Sequence, residues 1–340
     1  MNVGIVGAGL MGTRRANTLQ ALPGNRLIAV ADSSPAKAQA LARTHGAEAL
    51  PHWEDLVRRK EIQIVIVSTP HHLLSPIALA AVKNGKHVLV EKPMGRSPEE
   101  VEALVKAGRA CGVLIKGGFN HRYHPALQKA WKLCSEGAIG EILFIRGRYG
   151  HGGRPGYETE WRCHPQTAGG GELLDQGIHL ITLARWFLGE FDQVAGMTTT
   201  KFWPIAPMEE NAFALLRTRQ GQVVSLHASW TQWKNLFSWE IYGTLGSLTV
   251  EGLGGSYGTE RLIQSRRRPE SGPPEETQEF FSGPDLSWNL EWQEFLRAIE
   301  GKEQLHGSAE DGLAAIRIAY AIYRADRYNI SEKSTQGTKA

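Results

Sequence analysis

The first forty residues restrict the fold more than any other part of the chain. A short apolar run, Val3 to Val6, leads directly into the glycine-rich sequence GAGLMG at Gly7 to Gly12, and a helical pattern follows. In this setting Gly7 permits a tight turn, Gly9 lets a pyrophosphate approach the backbone, and Gly12 lets the helix pack closely on the strand. The pattern predicts a βαβ unit that binds a dinucleotide.

The second apolar run, Arg26 to Ala31, ends at Asp32, which follows Gly12 by 20 residues. An acid at this point binds the ribose hydroxyls of NAD and repels the 2′-phosphate of NADP. We therefore expect NAD to be preferred over NADP, although the hydroxyl groups of Ser33 and Ser34 keep phosphate binding open. The residues of this region that we expect to contact the cofactor are Gly7, Gly9, Leu10, Met11, Gly12 and Asp32.

Strand-like and helical stretches continue to alternate as far as Phe119. Such alternation predicts an α/β domain with a doubly wound parallel sheet, in which ligands bind beyond the carboxyl ends of the strands. Lys92 follows a predicted strand and precedes a proline, so we expect it to point into the cofactor crevice. The predicted cofactor contacts at these later strand ends are Thr69, Pro70, Glu91, Lys92 and Asn120.

The pattern changes beyond Phe119 to helices mixed with strand-like runs and turn signals, which predicts an α+β domain with a mainly antiparallel sheet. A chain of 340 residues is long enough for two hydrophobic cores. We therefore assign residues 1–119 to an NAD(P)-binding Rossmann domain and residues 120–330 to a substrate-binding and oligomerisation domain. We expect residues 331–340 to form a disordered tail.

The composition excludes several classes of partner. A net charge of +3 is too small to argue for nucleic acid or an anionic membrane, and no apolar run is long enough to cross a bilayer. The three cysteines form no C-x-x-C pair, which fits a reducing cytosol better than a disulfide scaffold. We expect a cytoplasmic protein that binds no metal.

The stretch from Gly169 to His179 (GGGELLDQGIH) combines backbone freedom with an acid and an imidazole. A helix that begins near Glu172 places Asp175 and His179 on one face, because they are four residues apart. The pair can then face a cleft. The alternative is a helix N-terminus followed by a histidine whose hydrogen bonds are satisfied in the core.

Four stretches of the chain resemble the Gfo/Idh/MocA family of oxidoreductases, which includes glucose–fructose oxidoreductase and inositol 2-dehydrogenase. These stretches are Gly7 to Gly12, Gly85 to Pro93, Gly118 to Pro125, and Gly169 to His179. The resemblance implies an N-terminal Rossmann domain and a C-terminal domain with a large, open and mainly antiparallel sheet. It also implies homodimers or homotetramers that assemble through that sheet.

The resemblance further implies that Lys92 is the catalytic lysine, Asp175 the substrate-contacting acid and His179 the acid/base histidine. Two positions depart from the family pattern. The family often has P-N-x-x-H where this chain has Pro70 followed by HHLL, and Thr182 stands where an acid often follows the catalytic histidine. Both departures lie outside the catalytic residues, so they bear on specificity more than on chemistry.

These residues suit hydride transfer between a nicotinamide and a secondary alcohol or ketone of a sugar, nucleotide sugar or cyclic polyol. An imidazole such as that of His179 can take the hydroxyl proton, because its ordinary pKa is about 6.5. The ammonium of Lys92 can stabilise the developing alkoxide. One alternative is an NAD-dependent glycosidase that oxidises its sugar transiently. Another alternative is a non-catalytic dinucleotide sensor. The presence of Lys92, Asp175 and His179 argues against it.

The segment between Gly150 and Ala168 combines arginines with aromatic residues, as expected for a lid on a polar ligand. Arginine holds a diphosphate with two hydrogen bonds, and an aromatic ring can stack on a base. We therefore favour a nucleotide-linked or otherwise anionic sugar slightly over free inositol or glucose. In the alternative, the arginines pair with Glu158 and Glu160. The predicted substrate contacts are Arg122, Tyr157, Trp161, Arg162 and Lys234.

Overall fold

The first of the two sheets is built from short runs of Val, Ile, Leu and Ala that are almost completely buried. Buried parallel strands have this continuous apolar character because both faces of the sheet are covered. The strands are β1 (Asn2–Val6), β2 (Arg26–Ala31), β3 (Glu48–Leu50), β4 (Ile64–Val67), β5 (His87–Glu91) and β6 (Ile115–Gly118). All pairs are parallel, and the order is β3-β2-β1-β4-β5-β6, which is that of a doubly wound dinucleotide-binding sheet.

The second sheet has eight strands in the order β14-β13-β12-β11-β7-β10-β9-β8. The strands are β7 (Ile142–Gly150), β8 (Gln193–Thr199), β9 (Asn211–Arg217), β10 (Val223–Ser229), β11 (Leu236–Gly243), β12 (Gly246–Glu251), β13 (Glu260–Arg266) and β14 (Glu275–Phe281). Neighbouring strands are antiparallel except β7 and β10, which run parallel. The sheet is therefore mixed but mainly antiparallel, and it is open at both edges.

The helices are α1 (Leu10–Ala21), α2 (Pro35–His45), α3 (Trp53–Arg58), α4 (His71–Lys83), α5 (Pro98–Cys111), α6 (Pro125–Ser135), α7 (Pro165–Ala168), α8 (Ile178–Leu188), α9 (Ser287–Ile299) and α10 (Ala309–Lys333). Local signals explain several of their ends. The Ser97 hydroxyl accepts a hydrogen bond from the Glu100 amide at the start of α5, and Gly112 ends that helix in the left-handed conformation. Helix α8 packs on β7 and β10 of the second sheet.

The computed structural model describes the backbone of residues 1–333 and the side chains of residues 1–326, in two compact units. The first unit comprises residues 1–120, 166–169 and 288–316. The second comprises residues 121–165, 170–287 and those described from residue 317 onward. No helix among the described residues is long and apolar enough to span a bilayer.

Helix α9 completes the core of the first unit although it lies near the end of the chain. Its side chains Trp292 and Phe295 are fully buried and belong to the same apolar cluster as Ile5 and Ile66 of the parallel sheet. Large aromatic side chains contribute much of the apolar area that a core removes from water. Residues 288–316 therefore belong to the first unit, although they follow the second sheet in sequence.

A buried ion cluster joins three elements of the first unit. Arg15 on α1 donates to Glu91 at the end of β5 (Nε to Oε1, 2.7 Å) and to Glu291 on α9 (Nη1 to Oε2, 2.5 Å). Trp288 lies under the same guanidinium, 4.5 Å from its ring centroid. Burial opposes the charged form of Arg15, but the carboxylates of Glu291 and Glu91 outweigh it and raise the pKa of the guanidinium.

The predicted fold class is confirmed, and the structure adds elements that the sequence pattern did not indicate. Strand β3 has only three residues, and β14 lies at a sheet edge with nearly every residue exposed, so neither shows a buried apolar pattern. The predicted loop from Gly150 to Ala168 contains two short 3-10 turns and α7. Helix α10 extends to Lys333, so the first residues of the predicted tail are helical. Residues 334–340 lie outside the described part.

We expect Arg15→Met to destabilise the protein strongly, because it leaves the carboxylates of Glu91 and Glu291 buried without their cation. Breaking a buried ion pair in this way costs about 3–5 kcal/mol of the free energy of unfolding. The measurement is urea denaturation followed by tryptophan fluorescence. The matched control is Arg109→Met, because Arg109 pairs with Glu310 in the same unit but both side chains are largely exposed. If Arg109→Met lowers the free energy of unfolding as much as Arg15→Met does, burial of the ion pair is not the cause of the loss.

Candidate functional site

The glycine-rich turn of the first unit has one open position between two crowded ones. Gly7 has φ +100°, and a Cβ there would lie 2.5 Å from the Ser68 carbonyl oxygen. A Cβ on Gly12 would lie 1.9 Å from the Gly7 carbonyl oxygen, whereas a Cβ on Gly9 would meet nothing within 4 Å. The turn is thus closed by backbone packing and open where a pyrophosphate approaches the N-terminus of α1. These residues fit a dinucleotide.

Asp32 is fixed at the end of β2 by two backbone amides. Its Oδ2 accepts a hydrogen bond from the Ala8 amide at 2.7 Å, and its Oδ1 accepts one from the Ser34 amide at 2.8 Å. The carboxylate therefore braces the glycine-rich turn as well as the start of α2. This dual contact gives Asp32 a structural role in addition to the predicted contact with ribose.

The other predicted cofactor residues lie on the turns that follow β1, β4, β5 and β6. Leu10 is 70% exposed at the start of α1, next to Met11. Thr69 follows β4, and its hydroxyl is buried without a hydrogen-bond partner among the described residues. Pro70 precedes α4, and Asn120 is buried at the start of a 3-10 turn. A buried hydroxyl at a strand end is a group that a bound ligand can satisfy.

Lys92 lies directly beyond the carboxyl end of β5, as the sequence predicts. Its neighbour Glu91 is the residue that Arg15 holds, and Pro93 and Met94 on its other side are buried. Lys92 itself is only partly buried. Its backbone is therefore anchored on both sides by packed residues of the first unit.

A buried carboxylate holds the start of the segment that carries Asp175 in the second unit. Glu209 accepts hydrogen bonds from the amides of Gly171 (2.9 Å) and Leu173 (3.1 Å) and from the Tyr323 hydroxyl (2.6 Å). A Cβ on Gly171 would lie 2.1 Å from the Glu209 carbonyl oxygen, so only glycine fits there. Burial raises the pKa of Glu209, and the hydrogen bond from Tyr323 and those from the amides oppose that shift.

The predicted helix is present, but its first turn differs from an α-helix. Leu173–Gly177 form a π-helical turn, and α8 follows from Ile178. Single π-turns recur at functional sites because they widen the helix locally. Asp175 lies within this turn and His179 lies in the first turn of α8, and both side chains are buried.

The arginines of the 150–168 segment are paired with acids. Arg162 forms ion pairs with Asp175 (Nε to Oδ2, 3.2 Å) and Glu160 (Nη1 to Oε2, 3.4 Å), and Arg154 pairs with Glu160 as well. Burial would lower the pKa of Arg162, but Asp175, Tyr157 and Glu160 outweigh it and raise that pKa. Arg162 also lies over the ring of Trp161, 4.6 Å from its centroid. The segment therefore touches a predicted catalytic residue directly.

The remaining predicted substrate residues of the second unit are scattered. Tyr157 is buried and packs edge-on against Trp230, with ring centroids 5.1 Å apart. Arg122 is buried with its guanidinium 5.9 Å from the ring centroid of Trp186. Lys234 is exposed in the turn between β10 and β11. Their contacts with substrate stay predictions.

Three residues around His179 were not singled out from the sequence. The ring of His121 stacks on that of His179, and Tyr149 meets both rings edge-on. Tyr257 packs on Tyr149 and accepts a hydrogen bond from Gln176 of the π-turn (3.0 Å). Only His121 had a sequence signal, because it lies within the Gly118 to Pro125 motif. Within the described residues, no group of three His, Cys, Asp or Glu could hold a metal ion.

Comparison with known proteins matches both parts of the chain. A family model described as "Oxidoreductase family, NAD-binding Rossmann fold" matches residues 1–119, and one described as "GFO/IDH/MocA C-terminal domain" matches residues 127–249. Levoglucosan dehydrogenase of Pseudarthrobacter phenanthrenivorans is 32% identical over 73% of each chain. Inositol 2-dehydrogenase of Rubrobacter xylanophilus is 29% identical over 97% of this chain and 92% of the relative.

Among solved structures, a levoglucosan dehydrogenase in complex with NADH and levoglucosan is similar, with a TM-score of 0.87 and 26% identity. The match covers 96% of this chain and 97% of that one.

We expect Gly9→Ala to weaken NADH binding while leaving the melting temperature unchanged, because its methyl group meets no protein atom but fills the space in front of α1. An affinity loss of about tenfold corresponds to 1.4 kcal/mol. The measurements are calorimetric titration with NADH and thermal unfolding without it. Gly12→Ala is the contrast, since its methyl group would overlap backbone and lower the melting temperature directly. Unchanged NADH affinity in Gly9→Ala would contradict the position given to the pyrophosphate.

Proposed function

Because the chain belongs to the Gfo/Idh/MocA family of oxidoreductases, we propose that it is an NAD-dependent dehydrogenase of a neutral sugar or cyclic polyol. The observation that carries the proposal is the glycine-rich turn, open at Gly9 and braced by Asp32. Relatives with the printed names levoglucosan dehydrogenase and inositol 2-dehydrogenase support the choice of a cyclic, uncharged alcohol.

Oxidation of a secondary alcohol removes one hydrogen as hydride and the hydroxyl hydrogen as a proton, and it leaves a ketone. NAD supplies the hydride acceptor when bound. We assign the proton to His179, because an imidazole is the side chain best suited to proton transfer near neutral pH. Lys92 carries an ammonium that stabilises negative charge on the alcohol oxygen as it develops. Asp175 accepts a hydrogen bond from a substrate hydroxyl and so orients it.

The ion pairs of Arg162 and Arg154 support an uncharged substrate. Both guanidinium groups already have carboxylate partners, so a diphosphate would have to displace Asp175 or Glu160 to bind them. This arrangement corresponds to the alternative in which the arginines of the segment neutralise nearby acids. We therefore prefer a neutral sugar or polyol to the nucleotide-linked sugar that the residue types of the segment favour.

We also propose that the protein forms a homodimer or homotetramer through the second sheet. Side chains that alternate along its strands leave apolar surface exposed, including Leu143, Met197, Phe213 and Leu215 at 45–58% exposure. Phe213 lies opposite Met197 on β8, so the two extend one apolar surface across strands. Exposed apolar patches of this kind mark interaction surfaces. The three cysteines are all free, which fits the cytosolic location that we propose.

We expect Asp32→Asn to narrow the preference for NADH over NADPH. The amide oxygen can still accept the hydrogen bond from the Ala8 amide, but the negative charge that repels a 2′-phosphate is gone. Titration of both dinucleotides by protein fluorescence measures the ratio of dissociation constants. Asp55→Asn is the control, because it removes the same charge from an exposed acid on α3 that pairs with Arg58. Tighter binding of NADPH than NADH by the unmodified protein would overturn the cofactor assignment.

We expect His179→Ala to lower kcat by about 10²–10⁴-fold, as removal of a general acid/base does, and Lys92→Met to lower it by orders of magnitude. NADH affinity of His179→Ala should stay near that of the unmodified protein, because His179 is not among the predicted cofactor contacts. The assay follows NADH absorbance with a panel of neutral sugars and inositols. Lys106→Met is the control, since Lys106 lies exposed on α5 with only an exposed partner, Glu102. Near-normal turnover in either variant would refute its assigned role.

A further inference from the structure

Two histidine rings lie flat against each other in the second unit. The ring centroids of His121 and His179 are 3.7 Å apart, and their planes differ by 17°. His121 belongs to the 3-10 turn that follows β6, whereas His179 belongs to α8, so separate elements bring the rings together. Both side chains are 5% exposed. A face-to-face contact at this distance fixes the plane of each ring.

Aromatic neighbours enclose the stacked pair. Tyr149 of β7 meets His121 at 5.0 Å and His179 at 6.3 Å, both edge-on, and Phe237 of β11 meets His121 at 6.1 Å. Burial raises the pKa of Tyr149 well above its ordinary value, so this phenol stays neutral. Tyr257, which packs on Tyr149, also has a raised pKa through burial. The enclosure restricts ring rotation and leaves both imidazoles nearly inaccessible to solvent.

The other charged or titratable groups near the pair come from several elements. Asp175 and Glu172 belong to the segment that carries His179, and Arg162 reaches Asp175 from the 150–168 segment. His124 lies edge-on to His121 at 5.9 Å and contacts Glu260. The imidazoles of His121, His179 and His124 share an ordinary pKa in the range where enzymes usually work, and His121 and His179 are the two that lie face to face.

Two imidazoles in contact cannot both take a proton independently. A proton on one ring places a positive charge against the face of the other, in a buried environment that screens poorly. The rings then titrate as a coupled pair with two separate macroscopic pKa values. A proton on His121 therefore makes His179 a weaker base.

We propose that His121 is the positioning residue of the acid/base histidine: it fixes the ring plane of His179 and, when protonated, withdraws His179 from proton transfer. This inference rests on the proposed function for the role of His179 but not for the coupling itself. His121 touches the reacting histidine and takes no part in bond formation. Protonation of either His121 or His179 therefore lowers the activity at acidic pH.

The coupling can be tested without turnover, by NMR titration of the histidine ring carbons in the full-length chain. We expect His179 to titrate in two steps in the unmodified protein and in one step in His121→Phe, which keeps a stacked ring but cannot take a proton. His227 is an internal control, because it stacks on Phe213 (4.1 Å between centroids) and should titrate in one step in both proteins. One-step titration of His179 with the same pKa in both proteins overturns the proposal.

Activity gives the second readout. Because only the doubly neutral pair is active, the logarithm of kcat/KM should fall on acidification with a slope of one between the two pKa values of the unmodified protein and a slope approaching two below the lower one. In His121→Phe the slope should stay at one over the same range of pH. His121→Ala should lose kcat about tenfold even at high pH, because a misplaced ring lowers turnover, whereas His121→Phe should not. Equal slopes in the unmodified protein and His121→Phe below the lower pKa contradict the coupling.

If His121→Phe does not fold, His121→Gln replaces it in the titration and the pH profile. Absence of turnover with every sugar and polyol would refute the proposed function alone, since the NMR titration still decides the coupling.

Discussion

The buried ion cluster around Arg15 is the interaction on which the first unit depends. A guanidinium with almost no access to water is unfavourable unless its charge is balanced, and here two carboxylates from distant parts of the chain balance it. One carboxylate, Glu91, precedes Lys92, and the other, Glu291, lies 276 residues away from Arg15 in sequence. The cluster therefore ties the helix of the glycine-rich turn, the strand that presents Lys92 and a returning helix to one another.

The second unit also contains a buried carboxylate that fixes a segment of backbone. Glu209 is buried, and its hydrogen bonds come from backbone amides at the start of the π-turn and from a tyrosine hydroxyl. A buried carboxylate that accepts several hydrogen bonds is rigid, because moving it would leave polar groups unsatisfied. In both units, then, a buried acid fixes the backbone beside a residue with a proposed catalytic role.

The sequence predicted the parts of this protein that local patterns determine. The crowding at Gly7 and Gly12 and the open space at Gly9 follow from their spacing in the motif, and the parallel sheet follows from apolar runs between helices. Glu209 could not be predicted, because its partners lie 36 and 38 residues away and no motif surrounds it. The stacking of His121 on His179 depends on how a 3-10 turn meets a helix, which periodicity does not encode. Strand β14 was missed since an exposed edge strand has no buried face.

Helix α9 belongs to the first unit but is synthesised after the whole of the second sheet. Residues 288–316 belong to that unit, and Trp292 and Phe295 fill the apolar cluster beneath the dinucleotide-binding strands. Domains often fold in order as a chain leaves the ribosome, N-terminal part first. Here the parallel sheet lacks a piece of its own core until residues 288–316 have emerged. The N-terminal half is therefore not a module that could be excised or grafted by cutting after the parallel sheet.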